Sequence, residues 1–261
     1  MSEFLHAFWP AGAFVIGLMV VIWWLALRIN NLGIVDIAWS YAFVPVAVFY
    51  AATTHGDVTR RWLMAGMAAA WSVRLGTHLY IRVMGHHPHE DTRYAEMRVR
   101  WGKNLKLQVL FFFQLQAVLI ALLSIPFLVA CLNDRVGISA IEWAGVGIWC
   151  VAVAGEGVAD WQLKQFKGKA NHDKVCRVGL WNYSRHPNYF FEWLVWVGFY
   201  VFALGSPLGC ATIYCPALML FFLLRVTGIP LTEALAVKTK GEAYREYQRT
   251  TSMFVPWPRK S

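Results

Sequence analysis

The chain has 261 residues, of which 58% are hydrophobic and only 15% are charged. A soluble domain usually carries about 25% charged residues and about 45–50% apolar residues, so this composition excludes an ordinary soluble domain and predicts an integral membrane protein. The net charge of +9 could suggest nucleic acid as a partner, but the positions of the cations along the chain argue against it.

Seven apolar segments follow one another, each close to the ~20 residues that an α-helix needs to cross a bilayer. We predict transmembrane helices at 7–27, 33–52, 62–84, 107–131, 138–160, 188–205 and 207–228. The segment 229–261 is too polar to span and is predicted to pack as a tail over the cytoplasmic mouth of the bundle. No repeat or linker interrupts the chain, so we expect one all-α membrane domain over 1–261.

The lysines and arginines are distributed unequally between the two sides of this seven-helix topology. Eighteen of the 24 fall on one side: Arg28, the loops 85–106 and 161–187, and the tail. Only Arg60, Arg61 and Arg135 fall on the other side, and three more lie within spans. Because cytoplasmic loops carry the excess of Lys and Arg, the N-terminus is predicted outside and the C-terminus in the cytoplasm.

Charged and polar residues inside the spans need an explanation, because a charge at the centre of a bilayer costs ~2.5 kcal/mol or more. They recur four residues apart, which puts them on one face of each helix. The residues are Asp36; Arg74, His78 and Arg82; Glu156, Asp160 and Lys164; and Asn188 and Glu192. For any single pair of these polar residues, a contact between two helices is a sufficient explanation. The whole set, which adjoins the most basic loops, favours a cavity that opens to the cytoplasm.

The loop 161–187 indicates what such a cavity binds. It has six Lys and Arg residues, and cations of this kind form charge-assisted hydrogen bonds to phosphate. The alternative is a basic loop that only sets orientation and attracts anionic lipid. The stretch LWNYSRHPNYFFE at 180–192 adds polar side chains at the start of an apolar helix: Tyr183, Arg185, His186, Asn188, Tyr189 and Glu192.

Two common kinds of site are excluded. The five cysteines lack CxxC or CxxH spacing, so neither a metal site nor a disulfide framework is predicted. The Gly-x-Gly pairs at 145–147 and 155–157 lie in the middle of a predicted helix with no strand before them, so a Rossmann fingerprint is rejected.

Several segments together resemble the steroid 5-alpha-reductase-like family, in particular its bacterial branch of largely uncharacterised membrane proteins. They are NNLGIVDIAWS, VADWQLKQFK, GLWNYSRHPNYFFEWLVWVGFY, LLRVTGIPLTEALA and YREYQRTTSMFVPWP, and they extend over nearly the whole chain. Characterised relatives are seven-helix enzymes that use NADPH to reduce a carbon–carbon double bond conjugated to a ketone. The resemblance therefore implies an oxidoreductase of the bacterial inner membrane that acts on a steroid-like or other apolar lipid and faces the cytoplasm with its cofactor site.

The resemblance also implies roles for individual residues. Asp160, Lys167, Asn188 and Glu192 match cofactor positions, although Phe191 stands where relatives often have Gly. The complete predicted cofactor set is Glu156, Asp160, Lys164, Lys167, Tyr183, Arg185, His186, Asn188, Tyr189, Glu192, Glu233 and Tyr247. In relatives an acid and a tyrosine polarise the substrate ketone; the candidates here are Asp36 and Tyr80, with His78 as a rival donor.

Two other functions remain open. RHPNY also resembles the RHPxY motif of membrane isoprenylcysteine and phospholipid methyltransferases, which use S-adenosylmethionine and have a glutamate in the following tail. A non-catalytic lipid-binding membrane protein is the third reading. Seven spans, the Asn-Tyr-Phe-Phe-Glu continuation and the long cationic loop favour the reductase. The sequence identifies neither the substrate nor the oligomeric state.

Overall fold

The computed structural model describes residues 2–85, 87–168, 171 and 174–259. Lys169 and Lys260, two of the predicted cytoplasmic cations, lie outside these residues. Within them the chain is all-α: the structure has no strand there, and an isolated parallel bridge joins Ser184 to Ser252. Two compact units are present, Met1–Ile138 with Ser206–Gly209 and Ser139–Gly205 with Cys210–Ser261. The expectation of one domain over 1–261 stays a prediction.

Six α-helices lie among the described residues of the first unit. They are α1 (Ser2–Ile29), α2 (Ile34–Thr53), α3 (Val58–Gly85), α4 (Thr92–Trp101), α5 (Leu105–Leu123) and α6 (Ile125–Cys131). Helix α2 packs along α3, and α1 packs along α5. The centre is aromatic: the buried rings of Phe43, Trp71 and Phe127 meet edge to face, a geometry that aromatic quadrupoles favour.

The part of the second unit that the structure describes contains five α-helices. They are α7 (Ala140–Lys167), α8 (Pro187–Ala203), α9 (Tyr214–Phe221), α10 (Ile229–Lys240) and α11 (Glu242–Thr250). Glycines let α7 and α8 approach closely. A Cβ at Gly145 would lie 2.5 Å from the Phe202 nitrogen, and one at Gly198 would lie 2.9 Å from Trp149. Small residues at such an interface are the usual means by which membrane helices pack tightly.

All seven predicted spans lie on helices, and five helical segments are long and apolar enough to cross a membrane. These are Ser2–Ile29, Ile34–Thr53, Thr92–Cys131, Ala140–Lys167 and Gly209–Lys240. Helix α3 carries four arginines and α8 has only 17 residues, so neither belongs to this set. A helical membrane protein is therefore confirmed, whereas the count of seven crossings and the orientation stay predictions.

Different side chains make the contacts at the two ends of the first unit. At one end α1 finishes beside the start of α5, where the Trp23 indole donates to the Lys106 carbonyl at 2.9 Å. At the other end the fully buried Arg60 donates to the carbonyls of Asn133 and Arg135 at 3.0 and 2.6 Å. Arg61 likewise donates to carbonyls at the end of α2. At that second end, both arginines satisfy backbone acceptors, which no helix bond would otherwise satisfy.

Candidate functional site

The packing of α7 on α8 brings the predicted polar residues of the second unit together. The Asn188 amide donates to Asp160 Oδ1 at 3.3 Å. Glu156 lies one turn before Asp160 in α7, and Glu192 lies one turn after Asn188 in α8. Both are buried, and Glu192 accepts a hydrogen bond from the Trp196 indole at 3.0 Å. None of the four polar side chains is exposed. They therefore form a polar face inside an apolar helix pair, as their four-residue spacing predicts.

Phe191, which departs from the pattern of the resembling family, packs against α7 in this same place. A Cβ at Gly155 would overlap the Phe191 ring, so Gly155 provides the space that the ring occupies. The sequence shows both residues, but only the helix pairing shows that one accommodates the other.

The last turns of α7 place two cations beyond this polar face. Lys164 is four residues after Asp160, and Lys167 follows at the end of the helix; both side chains are exposed. Exposed ammonium groups can turn toward a ligand without breaking an internal ion pair. Among the cations of the predicted cofactor set, Lys164 and Lys167 are exposed, whereas Arg185 is buried.

Arg185 and His186 have a different environment, because their side chains are buried around Glu233. Arg185 Nε donates to Glu233 Oε1 at 2.7 Å, and its Nη1 donates to the carbonyls of Gln248 and Thr251 at 2.9 and 2.7 Å. His186 Nε2 lies 3.2 Å from Glu233 Oε1, and the Gln248 amide donates to Oε2 at 2.9 Å. This buried ion cluster joins the start of α8 to α10 and α11.

The tail encloses the segment just before α8. The Tyr247 hydroxyl donates to the carbonyls of Trp181 and Ser184, the latter at 3.1 Å. The Trp257 amide donates to the Tyr183 carbonyl at 2.9 Å, and the Tyr183 side chain is exposed. Tyr189 reaches α10, where its hydroxyl lies 3.2 Å from that of Thr232. Within the second unit the tail therefore packs against the segment that precedes Asn188, and its place over a cytoplasmic mouth stays a prediction.

Burial controls the protonation of these groups. It lowers the pKa of His186, and the neighbouring Glu233 carboxylate opposes this shift. Burial raises the pKa of Tyr247, and it raises that of Tyr244 together with the nearby charge of Glu233. Both phenols are therefore protonated at neutral pH and act as hydrogen-bond donors.

The first unit holds the predicted substrate-side acid. The Tyr94 hydroxyl donates to Asp36 Oδ1 at 2.6 Å, while Arg93 and Arg82 approach Oδ2 to 3.3 and 3.6 Å. Tyr80, the tyrosine chosen from the sequence, is 53% exposed, and His78 is also exposed. The structure therefore brings Asp36 together with Tyr94. Neither Tyr80 nor His78 donates to it.

Sequence reasoning missed Tyr94 and Gln248. Tyr94 belongs to a polar helix between two predicted spans and is 58 positions from Asp36, so no periodic pattern links them. Gln248 is one residue after Tyr247, and its neutral amide gave no charge signal. The contact of Gln248 with Glu233 depends on how α10 and α11 pack.

Comparison with known proteins shows a family but no characterised relative. The model of the family described as "Protein of unknown function (DUF1295)" matches residues 22–251. An uncharacterized protein of Schizosaccharomyces pombe is 26% identical over 292 residues, which cover 97% of this chain and 83% of that protein. No solved structure matches the chain.

Proposed function

The chain belongs to the DUF1295 family, and we propose that it is an NADPH-dependent membrane oxidoreductase. Its reaction is the reduction of a carbon–carbon double bond conjugated to a ketone in a steroid-like or other apolar lipid. The observation that carries the proposal is the contact of Asn188 with Asp160 on a half-buried polar face that continues to Lys164 and Lys167.

The residues of this face suit the parts of a phosphorylated dinucleotide. The Asn188 side chain has both donor and acceptor atoms, as does the carboxamide of a nicotinamide ring, so the two amides can pair. Carboxylates such as Asp160 accept hydrogen bonds from ribose hydroxyls, and the two exposed lysines can bind phosphate. NADPH, when bound, supplies the hydride, and the protein supplies orientation and electrostatics.

Arg185, His186 and Glu233 serve this site indirectly in the proposal. Their mutual contacts satisfy one another and fix the segment from which α8 begins. Since Asn188 lies in the first turn of that helix, the buried ion cluster positions its amide. We therefore assign these three residues a positioning role, and we leave phosphate binding to Lys164 and Lys167.

Tyr94 is the proposed proton donor on the substrate side, in place of Tyr80. As a hydride reaches the β-carbon, negative charge develops on the ketone oxygen, and a preorganised donor stabilises that charge. A phenol has one proton, which Tyr94 directs to Asp36 in the structure. With a ketone bound, the proton turns to the substrate oxygen, while Arg93 and Arg82 continue to compensate the Asp36 carboxylate.

The cofactor is tested by thermal unfolding of the purified protein in detergent, with NADPH, NADH and S-adenosylmethionine compared at equal concentrations. We expect NADPH to raise Tm most. Asn188→Ala should remove the shift for both dinucleotides, whereas Lys164→Gln with Lys167→Gln should reduce mainly the preference for NADPH. Lys174→Gln, a charge removal in the same loop, is the matched control. If none of the three ligands raises Tm, the enzyme proposal fails and the lipid-binding alternative is favoured.

The substrate-side assignment is tested by NADPH oxidation with a panel of apolar enones. Tyr94→Phe keeps the ring and removes the proton, so we expect turnover to fall about 10²–10³-fold, as for other oxyanion donors. Tyr80→Phe is the matched control and should retain normal turnover. Equal activity of the two variants would contradict the role of Tyr94. Cofactor-induced stabilisation should be unchanged in both.

Methyltransferase activity remains the second candidate function, because the contact of Glu233 with Arg185 and His186 favours it as well. Its RHPxY motif and tail glutamate correspond here to Arg185, His186 and Glu233, which meet in the buried ion cluster. Stabilisation by S-adenosylmethionine, without stabilisation by NADPH, would select this function. In either case we propose the bacterial cell membrane as the location and the cytoplasm as the side of the tail, supported by the distribution of Lys and Arg.

A further inference from the structure

Helix α4 and the turn after it carry basic residues of two kinds. Arg93 and Arg98 lie in α4 and are paired within the first unit. Arg93 bonds to Asp91 at 3.0 Å and approaches Asp36, and Arg98 forms two hydrogen bonds to Glu90 at 2.7 and 3.1 Å. Their charges are compensated, so they offer little to an external anion.

The next cations along the chain are not compensated in this way. Arg100, Lys103 and Lys106 are exposed, and no carboxylate in residues 2–85, 87–168, 171 and 174–259 lies within 4.0 Å of their charged atoms. Arg28 belongs to the same group, because it lies at the end of α1, which is beside Lys106. The Arg28 guanidinium lies over the Trp24 ring, 5.0 Å from its centre. We call Arg28, Arg100, Lys103 and Lys106 the basic collar.

Exposed apolar side chains accompany the collar. Val99 is 85% exposed, and Leu107 and Phe111 are each 69% exposed. Val99 is next to Arg100, Leu107 is next to Lys106, and Phe111 is one turn further along α5, in a segment that is long and apolar enough to cross a membrane. Apolar side chains at this level enter the acyl boundary of a bilayer, and adjacent cations then lie at the depth of the lipid headgroups.

We propose that the basic collar binds the headgroup phosphates of anionic membrane lipids. Charge complementarity supports this binding, because phosphates are concentrated at this depth and no acid in the part of the chain that the structure describes pairs with these four cations. Each juxtamembrane Lys or Arg residue raises the affinity for an anionic lipid surface about fivefold. This surface lies in the first unit and does not depend on the proposed reductase activity.

The test measures the association of spin-labelled phosphatidylglycerol, relative to spin-labelled phosphatidylcholine, with the full chain in phosphatidylcholine vesicles. The wild-type protein should prefer phosphatidylglycerol. Arg100→Gln with Lys103→Gln and Lys106→Gln leaves only Arg28 and should remove most of that preference, and Arg100→Gln alone should reduce it by up to about fivefold. Arg135→Gln removes one exposed cation at the other end of the unit and should leave the preference unchanged.

Two further measurements keep the test decisive if the triple variant fails to fold. Raising NaCl to 1 M shortens the screening length to about 3 Å and should remove the wild-type preference. Glycerol phosphate at millimolar concentration should not displace the labelled lipid, since the collar acts on a dense surface of headgroups. A preference that survives salt, or equal loss in Arg100→Gln and Arg135→Gln, overturns the proposal. Displacement by glycerol phosphate also overturns it, because the site would then bind a soluble phosphate.

Discussion

The buried ion cluster around Glu233 gives the sharpest prediction on stability. Glu233→Gln keeps the shape of the side chain but removes the charge that accepts from Arg185, His186 and Gln248. The Arg185 guanidinium would then be buried without a counter-charge, since its side chain is only 9% exposed. Removing one partner of such a pair costs about 3–5 kcal/mol. Because the Glu233 side chain is 15% exposed, we expect the lower end, about 3 kcal/mol.

The assay is thermal unfolding in detergent, where about 3 kcal/mol corresponds to a decrease in Tm of roughly 6–12 °C for a chain of this length. Glu242→Gln is the matched control, because Glu242 pairs with Arg249 at 2.9 Å on an exposed surface and should change stability little. Adding Arg185→Gln to Glu233→Gln should cost less than the sum of the two single changes. If Glu233→Gln lowers Tm no more than Glu242→Gln does, the cluster is not the buried ion pair described here.

Three more predictions address other parts of the molecule. Burial lowers the pKa of His186, so as the pH decreases the unfolded chain binds a proton at His186 before the folded chain does. The free energy of unfolding should therefore fall as pH decreases below about 6.5. In unfolding experiments, His186→Gln should flatten this pH dependence. Gly155→Ala should cost about 1–3 kcal/mol by overlap with the Phe191 ring, a penalty that should disappear in a Phe191→Ala background; its persistence there would locate the strain elsewhere. Arg60→Met should destabilise by about 3 kcal/mol, because buried carbonyls lose their donor; a neutral effect on Tm would refute this.

The features that the sequence predicted are those set by local periodicity. Apolar runs of about 20 residues locate the spans, and four-residue spacing places Asp160 and Asn188 on the faces that meet between α7 and α8. Helix ends were less predictable. The predicted fourth span begins at 107, whereas helical structure already begins at Thr92, and the predicted tail starts at 229 inside the segment Gly209–Lys240. Polar helical turns continue these apolar segments, and hydropathy does not detect them.

Contacts between distant positions escaped the sequence for a different physical reason. The pairing of Asp36 with Tyr94 depends on α4 lying beside the start of α2. A hydrogen bond between such distant positions produces no periodic pattern in the sequence. The same holds for Glu233 and Gln248, which meet only because α11 folds back on α10. Tyr80 lies on the third predicted span, where the resemblance implies a tyrosine, but its side chain is exposed.

Internal hydrogen bonds in the structure reduce the number of Lys and Arg side chains that can attract external anions. On the cation-poor side, Arg60 and Arg61 are engaged by backbone carbonyls, so fewer positive charges face outward there than the sequence suggests. On the cation-rich side, Arg98 is likewise engaged by an internal acid. Among the described residues, cations without an internal acid partner include those of the basic collar in the first unit and Lys164 and Lys167 at the end of α7 in the second. Since a free cation attracts anions more than a paired one, a count of free charges should predict lipid selectivity better than the total count. Removing paired Arg98 should therefore change phosphatidylglycerol preference less than removing Arg100, and the same spin-label measurement decides between them.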